Sequence, residues 1–306
     1  MEKIQAAIAK ARAARDAQMP EPGTAPGPAP GTVTPLAAPT GAAGASAMAV
    51  QPDRVADRVA DRAADRASGL AAAWIGLREF QPDARHMQRN RILSFAGGRD
   101  AVGFDVMRTK LLQQIRANNW RRVGITSPNA ACGKTMTTLN LAFSLARQPD
   151  VRTLVAEIDL RRPAMAKTLG LKASHNFAKV LEGTAAFEDN VVRYGTNLAF
   201  ATNAVAARNP AELLQNPQIG AVLADIEARY DPTVILFDMP PMLVSDDAIG
   251  FAAQVDCVLL IAAAESTTVP DVDVCERDLA AQTNVLGVVL NKCRYLDRSY
   301  GYSYYG

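Results

Sequence analysis

The sequence lacks the long apolar segment that a membrane-spanning helix requires. Its longest strongly apolar run lies around Val258 to Ala264, far short of the roughly 20 residues that such a helix needs. The N-terminal residues also lack the apolar core of a secretory leader. We therefore expect a protein that is not integral to a membrane and that stays in the cytoplasm.

An excess of charge of one sign is also missing. The chain has 33 Lys and Arg against 31 Asp and Glu, a formal net charge of +2, which argues against a nucleic-acid binder that depends on bulk positive charge. The cysteines lack the spacing of a metal site, and in the cytoplasm we expect them to be reduced thiols. They are Cys132, Cys257, Cys275 and Cys293.

The first 69 residues differ in composition from the rest of the chain. Residues 1–18 predict a short amphipathic helix, with Ile4 and Ile8 on one face. Residues 19–69 predict a disordered linker, because they are first rich in Pro, Ala and Gly and then repeat an Asp-Arg tetrapeptide. We therefore expect an N-terminal extension without a packed core.

From residue 70 to residue 294, apolar runs alternate with helical patterns. The strand candidates are residues 121–126, 152–158, 197–202, 233–238, 256–263 and 285–291, and the helix candidates include residues 134–147, 217–229 and 269–282. Continuous apolar strands separated by helices are typical of a parallel sheet that is covered on both faces. The sequence thus predicts an α/β domain with a doubly wound, mainly parallel sheet.

A Gly-Lys-Thr triplet follows the first strand candidate and opens a helix, in "SPNAACGKT". This position fits a P-loop, in which amides at a helix N-terminus cradle phosphate, Lys134 neutralises β and γ oxygens, and the Thr135 hydroxyl binds Mg²⁺. The strict P-loop pattern begins with a glycine, and this chain has Pro128 there. The loop therefore lacks one potential amide donor.

Carboxylates follow two later strand candidates. Glu157 and Asp159 end one of them, and Asp238 ends the other. Open α/β sheets bind ligands at the carboxyl ends of their strands, so these acids are expected to converge on the metal held by Thr135. The sequence therefore predicts a site for ATP and Mg²⁺ of the P-loop NTPase type.

Five of the seven tyrosines lie between residues 295 and 306: Tyr295, Tyr300, Tyr302, Tyr304 and Tyr305. Because Gly and Ser are interleaved with them, the rings have few neighbours to pack against. One interpretation is an aromatic end that docks on its own domain or on a partner. The other makes the five hydroxyls phosphate acceptors.

From about Phe104 to its end, the chain resembles the cytoplasmic kinase domain of the bacterial tyrosine kinases (BY-kinases) of capsule and exopolysaccharide synthesis. The resemblance rests on the tyrosine tail and on "TSPNAACGKT", "EIDLRRP", "ILFDMPP", "NPAELL", "VSDDA" and "GVVLN". It implies an ATP-dependent protein-tyrosine autokinase that regulates polysaccharide polymerisation and export.

The resemblance also implies roles for individual residues. The catalytic set is Lys134, Glu157, Asp159 and Asp238, and the Mg²⁺ ligands are Thr135, Asp159 and Asp238. The nucleotide contacts are Ala131, Cys132, Gly133, Lys134, Thr135, Met136 and Asn291, and the phosphate acceptors are the five tail tyrosines. The chemistry of Arg161 makes it a further candidate nucleotide contact, and contact with an adjacent subunit or a solvated surface position are the alternatives. The chain departs from the family at Glu157, where aspartate is usual, and in the oligomerisation motif Glu-x-x-Arg-x-x-Arg, of which only Arg108 remains.

The partners implied by the resemblance are other proteins of the same system. They are a transmembrane polysaccharide co-polymerase in a separate chain, further copies of this chain in a homo-oligomer, and a tyrosine phosphatase. The co-polymerase would activate the protein and recruit it to the inner membrane as a peripheral protein. The helix at residues 1–18 would then be the tether to that partner.

The residues leave two other functional classes open. A partitioning or division-site ATPase has the same fold, but it uses a lysine five residues before the P-loop lysine, where this chain has Asn129. A nucleotide-sensing regulator of polysaccharide export would need the ATP site and no kinase activity. The tyrosine tail favours the kinase, because neither alternative explains it.

Overall fold

The computed structural model describes residues 68–172 and 175–294. The predicted helix at residues 1–18, most of the predicted linker at residues 19–69 and the tyrosine tail lie outside the described residues. Residues 68–75 are helical, so the last two residues assigned to the linker belong to a helix.

Eight strands form one sheet in the order β1-β4-β5-β3-β6-β2-β7-β8. They are β1 (Arg78–Glu79), β2 (Arg122–Thr126), β3 (Thr153–Glu157), β4 (Val191–Tyr194), β5 (Leu198–Ala201), β6 (Val234–Asp238), β7 (Cys257–Ala263) and β8 (Asn284–Asn291). Every neighbouring pair is parallel except β4 with β5. The predicted α/β fold with a mainly parallel sheet is confirmed.

Helices cover both faces of this sheet. They are α1 (Ala84–Arg89), α2 (Leu93–Ala96), α3 (Val102–Asn118), α4 (Lys134–Ala146), α5 (Met165–Leu169), α6 (Phe177–Leu181), α7 (Pro210–Leu214), α8 (Gln218–Tyr230), α9 (Asp247–Ala252) and α10 (Val269–Ala280). Helices α3 and α4 contribute to the core on one face, and α8 and α10 contribute to the core on the other.

The central strands are buried because they supply both cores. Successive side chains of a strand point to opposite faces, so Leu154 and Ala156 of β3 enter one core and Val155 enters the other. Strands β3 and β6 are buried along their whole length. This explains why the sequence shows continuous apolar runs here and no alternation with polar residues.

All six strand candidates are strands of the sheet, with bounds within one residue of those predicted. The sequence analysis did not name β1, β4, the helices α1 to α3 or the short helices α5, α6, α7 and α9. Strand β1 has only two residues, both exposed. Strand β4 ends in the half-buried Arg193 and Tyr194, so its apolar run is too short to stand out.

The topology brings three strand ends together at the middle of the sheet. Strand β6 lies between β2 and β3, and all three are parallel. Their carboxyl ends therefore share one edge, which carries the P-loop and both acidic segments. No helix in the two described ranges has the length and apolar character to span a membrane.

Trp74 attaches the helix at residues 68–75 to the domain core. Its ring is 2% exposed, and its Nε1 donates to the carbonyl oxygen of Tyr230 at 2.7 Å. The two rings also meet edge to face, with centroids 6.4 Å apart. The helix at residues 68–75 therefore belongs to the folded domain, although it comes before the first predicted strand in the sequence.

Trp74→Ala is expected to lower the free energy of unfolding by about 3–5 kcal/mol, because it leaves a large cavity and an unpaired carbonyl. Ile75→Ala is the matched control. Ile75 is 58% exposed, so its truncation should change stability by less than about 0.5 kcal/mol. Urea unfolding followed by circular dichroism measures both, and equal effects would contradict this role of Trp74.

Candidate active site

The P-loop joins β2 to α4, and its backbone adopts left-handed conformations at two positions. Ala131 has φ 62° and Gly133 has φ 98°. A Cβ added at Gly133 would lie 2.2 Å from Nδ2 of Asn291, which donates to the carbonyl oxygen of Cys132 at 2.9 Å. Glycine is therefore required at position 133 both for its conformation and for the close approach of Asn291.

Lys134, the first residue of α4, is buried between two carboxylates. Its Nζ donates to Oδ2 of Asp159 at 2.7 Å and lies 3.7 Å from Oδ1 of Asp238. Burial acts to lower the pKa of Lys134, but attraction to Asp238 and Asp159 outweighs it and raises the pKa above the usual value. The side chain is therefore an ammonium group that the two acids hold in place.

Thr135 and Asp238 form a direct contact across neighbouring elements. The Thr135 hydroxyl donates to Oδ2 of Asp238 at 2.6 Å. Burial raises the pKa of Asp238, while Lys134 and the Thr135 hydroxyl act to lower it. Among the described residues, Oδ1 of Asp238 is buried and has no hydrogen-bond partner, although Lys134 is close.

Glu157 faces main-chain amides. Its Oε1 accepts hydrogen bonds from the amides of Ala164 at 2.6 Å and Met165 at 2.7 Å. Its Oε2 accepts one from the amide of Asn203 at 2.8 Å. Burial raises the pKa of Glu157 to about 7, although these hydrogen bonds oppose the rise. Glu157 therefore lies at the site with partners different from those of Asp159 and Asp238.

Two predicted nucleotide contacts have partners within the chain. The Arg161 guanidinium binds the buried carboxylate of Asp247, with Nη2 donating to Oδ1 at 3.0 Å. Asn291 donates to the P-loop at Cys132, and its Oδ1 accepts from the amide of Lys292 at 2.8 Å. The structure thus places Asn291 against the P-loop and Arg161 against Asp247, the first residue of α9.

The remaining P-loop residues occupy the expected turn at the start of α4. Ala131 is exposed and Met136 is half-buried. Cys132 is buried, with its Sγ 3.6 Å from the Thr267 hydroxyl. The sequence analysis did not assign a role to Asn203, which binds Glu157, or to Asp247, which binds Arg161. Asp247 entered it only as part of the "VSDDA" segment that supports the resemblance.

The acidic groups fit Mg²⁺. Within the described residues no three His, Cys, Asp or Glu side chains form a metal site by themselves, but Mg²⁺ usually takes one or two carboxylates together with substrate phosphates. The buried Oδ1 of Asp238 lacks a hydrogen-bond partner among the described residues, and two carboxylates, those of Asp159 and Asp238, share the single ammonium of Lys134. A divalent cation would satisfy that oxygen and balance the excess negative charge.

No protein-family model matches the chain, but individual proteins do. The kinase domain of VpsO is 33% identical, with a TM-score of 0.55, and the match covers 63% of this chain and 96% of that domain. The chain belongs to the bacterial tyrosine kinase family. The kinase domain of the Escherichia coli tyrosine kinase ETK is 25% identical, with a TM-score of 0.58, over 66% of this chain and 80% of that domain.

Curated members of the bacterial tyrosine kinase family differ in length from this chain. The proposed tyrosine-protein kinase EpsB of Ralstonia nicotianae is 29% identical over 203 residues, which cover 65% of this chain and 27% of EpsB. The tyrosine-protein kinase CpsD of Streptococcus pneumoniae is 28% identical over 194 residues, which cover 61% of this chain and 83% of CpsD. The chain thus matches about a quarter of EpsB and most of CpsD.

Gly133→Ala is expected to weaken binding of a fluorescent ATP analogue by more than about tenfold, because the new Cβ would displace Asn291 and deform the loop. Gly183→Ala is the matched control. Gly183 also has a positive φ, 71°, but nothing lies within 4 Å of its added Cβ. The control should lower stability by about 1–2 kcal/mol and leave nucleotide affinity unchanged. Equal affinities for the two variants would contradict this description of the loop.

Proposed function

We propose that this protein is an ATP-dependent protein-tyrosine kinase that phosphorylates its own C-terminal tyrosines. One observation carries the proposal: Lys134 is held between Asp159 and Asp238, and Thr135 is bound to Asp238. This arrangement joins a phosphate-binding helix N-terminus, a metal-binding hydroxyl and a carboxylate that can accept a proton.

The P-loop and Lys134 bind the phosphates of ATP. The amides at the start of α4 point toward the phosphate oxygens, as at other helix N-termini. Lys134 moves its ammonium group from Asp159 to the β and γ oxygens, and Thr135 keeps its hydrogen bond to Asp238. Bound Mg²⁺, held by Thr135 and Asp238 with Asp159 nearby, would neutralise charge on the phosphates.

Asp159 orients and deprotonates the attacking phenol. A tyrosine hydroxyl has a pKa near 10 and needs a base to lose its proton at neutral pH. Oδ2 of Asp159 holds Lys134 in the structure, so the movement of Lys134 to the phosphates frees that oxygen. The site therefore exposes its base only when nucleotide is present.

The path of the chain supports the tail as the substrate. Strand β8 ends at Asn291, which binds the P-loop, and Tyr295 is only four residues further along the sequence. Residues 295–306 fully extended span about 40 Å, enough to enter a neighbouring copy's site or to return to their own. The tail tyrosines are therefore the acceptors with the highest local concentration.

The resemblance to the kinases of capsule and exopolysaccharide synthesis supports a physiological setting for this activity. We place this protein in the cytoplasm, recruited to the inner membrane by a transmembrane polysaccharide co-polymerase. It acts there as a homo-oligomer in the control of polysaccharide synthesis, and a tyrosine phosphatase reverses the modification.

Incubation with ATP and Mg²⁺, with and without the cytoplasmic segment of a candidate co-polymerase, should add phosphate to the peptide spanning residues 295–306. Lys134→Met should abolish the addition, because the phosphates lose their main cationic partner. Lys110→Met is the control, since Lys110 is exposed on α3, and it should behave as wild type. Intact and peptide mass spectrometry measure the modification.

Release of ADP with an unmodified tail under every condition would contradict the kinase. The protein would then be an ATPase switch, and the tyrosines would form a docking surface. Phosphate on the tail of Lys134→Met would contradict the assignment of this site.

Asp238→Asn should raise the Mg²⁺ concentration at half-maximal activity by at least about tenfold, because the amide removes the buried charge that faces the metal. Asp225→Asn is the control, since Asp225 is exposed on α8. A Mg²⁺ titration of ADP release measures both. If Asp238→Asn leaves the Mg²⁺ concentration at half-maximal activity unchanged, Asp238 is not a ligand of the metal.

A further inference from the structure

We infer that Glu157 is a positioning residue that closes the loop carrying Asp159 through main-chain hydrogen bonds, and that it is neither the base nor a metal ligand. This inference deepens the proposed function and rests on it for its effect on phosphoryl transfer. The resemblance implies the opposite, a catalytic role for position 157.

The contacts of Glu157 join the two ends of one loop. Glu157 is the last residue of β3, and its Oε1 accepts from the amides of Ala164 and Met165, where α5 begins. Residues 158–163 form the loop between these points, and they include Asp159. The side chain thus fixes the exit of the loop relative to its entry.

Asp159 depends on both ends of that loop. The amides of Ile158 and Asp159 donate to the carbonyl oxygen of Asp238, at 2.8 and 3.1 Å. At the other side, Oδ1 of Asp159 accepts from the amide of Arg162 at 3.2 Å. A shift of the loop exit would therefore change the direction in which the Asp159 carboxylate points.

The carboxylate of Glu157 has few oxygen lone pairs left to bind a metal or a phenolic hydroxyl. It offers about four lone-pair positions, and main-chain amides occupy three of them. Its side chain is fully buried. Asp238 differs, because its Oδ1 lacks a hydrogen-bond partner among the described residues. Asp159 differs because its Oδ2 accepts from the ammonium of Lys134, which the proposed function moves to the phosphates.

Asn203 reinforces the same position from the segment that follows the neighbouring strand β5. Its amide donates to Oε2 of Glu157, and its side-chain Nδ2 donates to the main-chain oxygen of Glu157 at 3.0 Å. Its Oδ1 accepts from the amide of Ala178 at 2.8 Å. Glu157 therefore ties the loop exit to the segment that follows β5.

The length of the side chain accounts for glutamate at this position. Aspartate is shorter by one methylene, about 1.5 Å, and could not reach the amides of Ala164 and Met165 and that of Asn203 together. Glutamine has the full length and can keep its oxygen on Ala164 and Met165, but its NH₂ group would face the amide of Asn203. Comparing Glu157→Asp with Glu157→Gln therefore separates the effect of side-chain length from the effect of side-chain charge.

The test compares Glu157→Asp with Glu157→Gln in the full chain. A positioning role predicts that Asp is the more damaging change, with kcat lowered by about 100-fold, since a displacement near 1 Å can cost that much. Glu157→Gln should lose less. Neither should change the half-saturating Mg²⁺ concentration. A base or metal ligand predicts the reverse order, with Asp active and Gln inactive, and that result would overturn the inference.

A double-mutant cycle distinguishes positioning from a purely structural role. In an Asp159→Asn background, Glu157→Asp should cost no further loss of ADP release, because the group that it positions is gone. An equal loss in both backgrounds would mean that Glu157 only stabilises the fold, and it would overturn the inference. Thermal unfolding of each variant establishes that the comparison is made on folded protein.

Hydrogen exchange provides a readout that needs neither kinase activity nor the folding of every variant. The peptide spanning residues 158–165 should exchange faster in Glu157→Gln, and faster still in Glu157→Asp if that variant folds, while the α8 peptide keeps its protection. If the wild type releases ADP without modifying its tail, the proposed function fails, yet this measurement still decides the role of Glu157. Unchanged exchange of residues 158–165 in Glu157→Gln would overturn the inference.

Discussion

The ammonium group of Lys134 is buried, and a buried charge is tolerated only when it is paired. Asp159 and Asp238 supply the pairing from the ends of two adjacent parallel strands. The sheet order is what makes this possible, because β6 lies between β3 and the strand that leads into the P-loop. In the proposed function, phosphates replace the acids as partners of Lys134, and the same carboxylates then become available for a metal and for a phenolic proton.

The central sheet could be predicted from the sequence because its strands are buried on both faces. Strands such as β6 read as unbroken apolar runs, and their predicted bounds are accurate within one residue. The short edge strand β1 has no apolar character. Helix α3 buries only Leu111, Leu112 and Ile115, so its helical pattern is faint although it packs firmly against α4 in the folded domain.

Part of the site could also be predicted, and the reason is topological. Lys134, Thr135, Asp159 and Asp238 follow strands in the sequence, so a parallel sheet must bring them to one edge. Their placement agrees with the expectation, whereas their catalytic roles stay predictions. The pairing of Arg161 with Asp247, and of Glu157 with main-chain amides, depends on distances between loops. No local pattern encodes those distances, so neither pairing could be predicted from the sequence.

The most direct test of the account is a crystal structure of the protein with Mg²⁺ and a non-hydrolysable ATP analogue. The distance from Nζ of Lys134 to Oδ2 of Asp159, 2.7 Å in the present structure, is the quantity to measure. We predict that Nζ leaves Asp159 for the β and γ phosphate oxygens, while Glu157 stays on the amides of Ala164 and Met165. A Lys134 that remains on Asp159 with nucleotide bound would contradict the central claim, because the site would then have no cation for the phosphates and no free base.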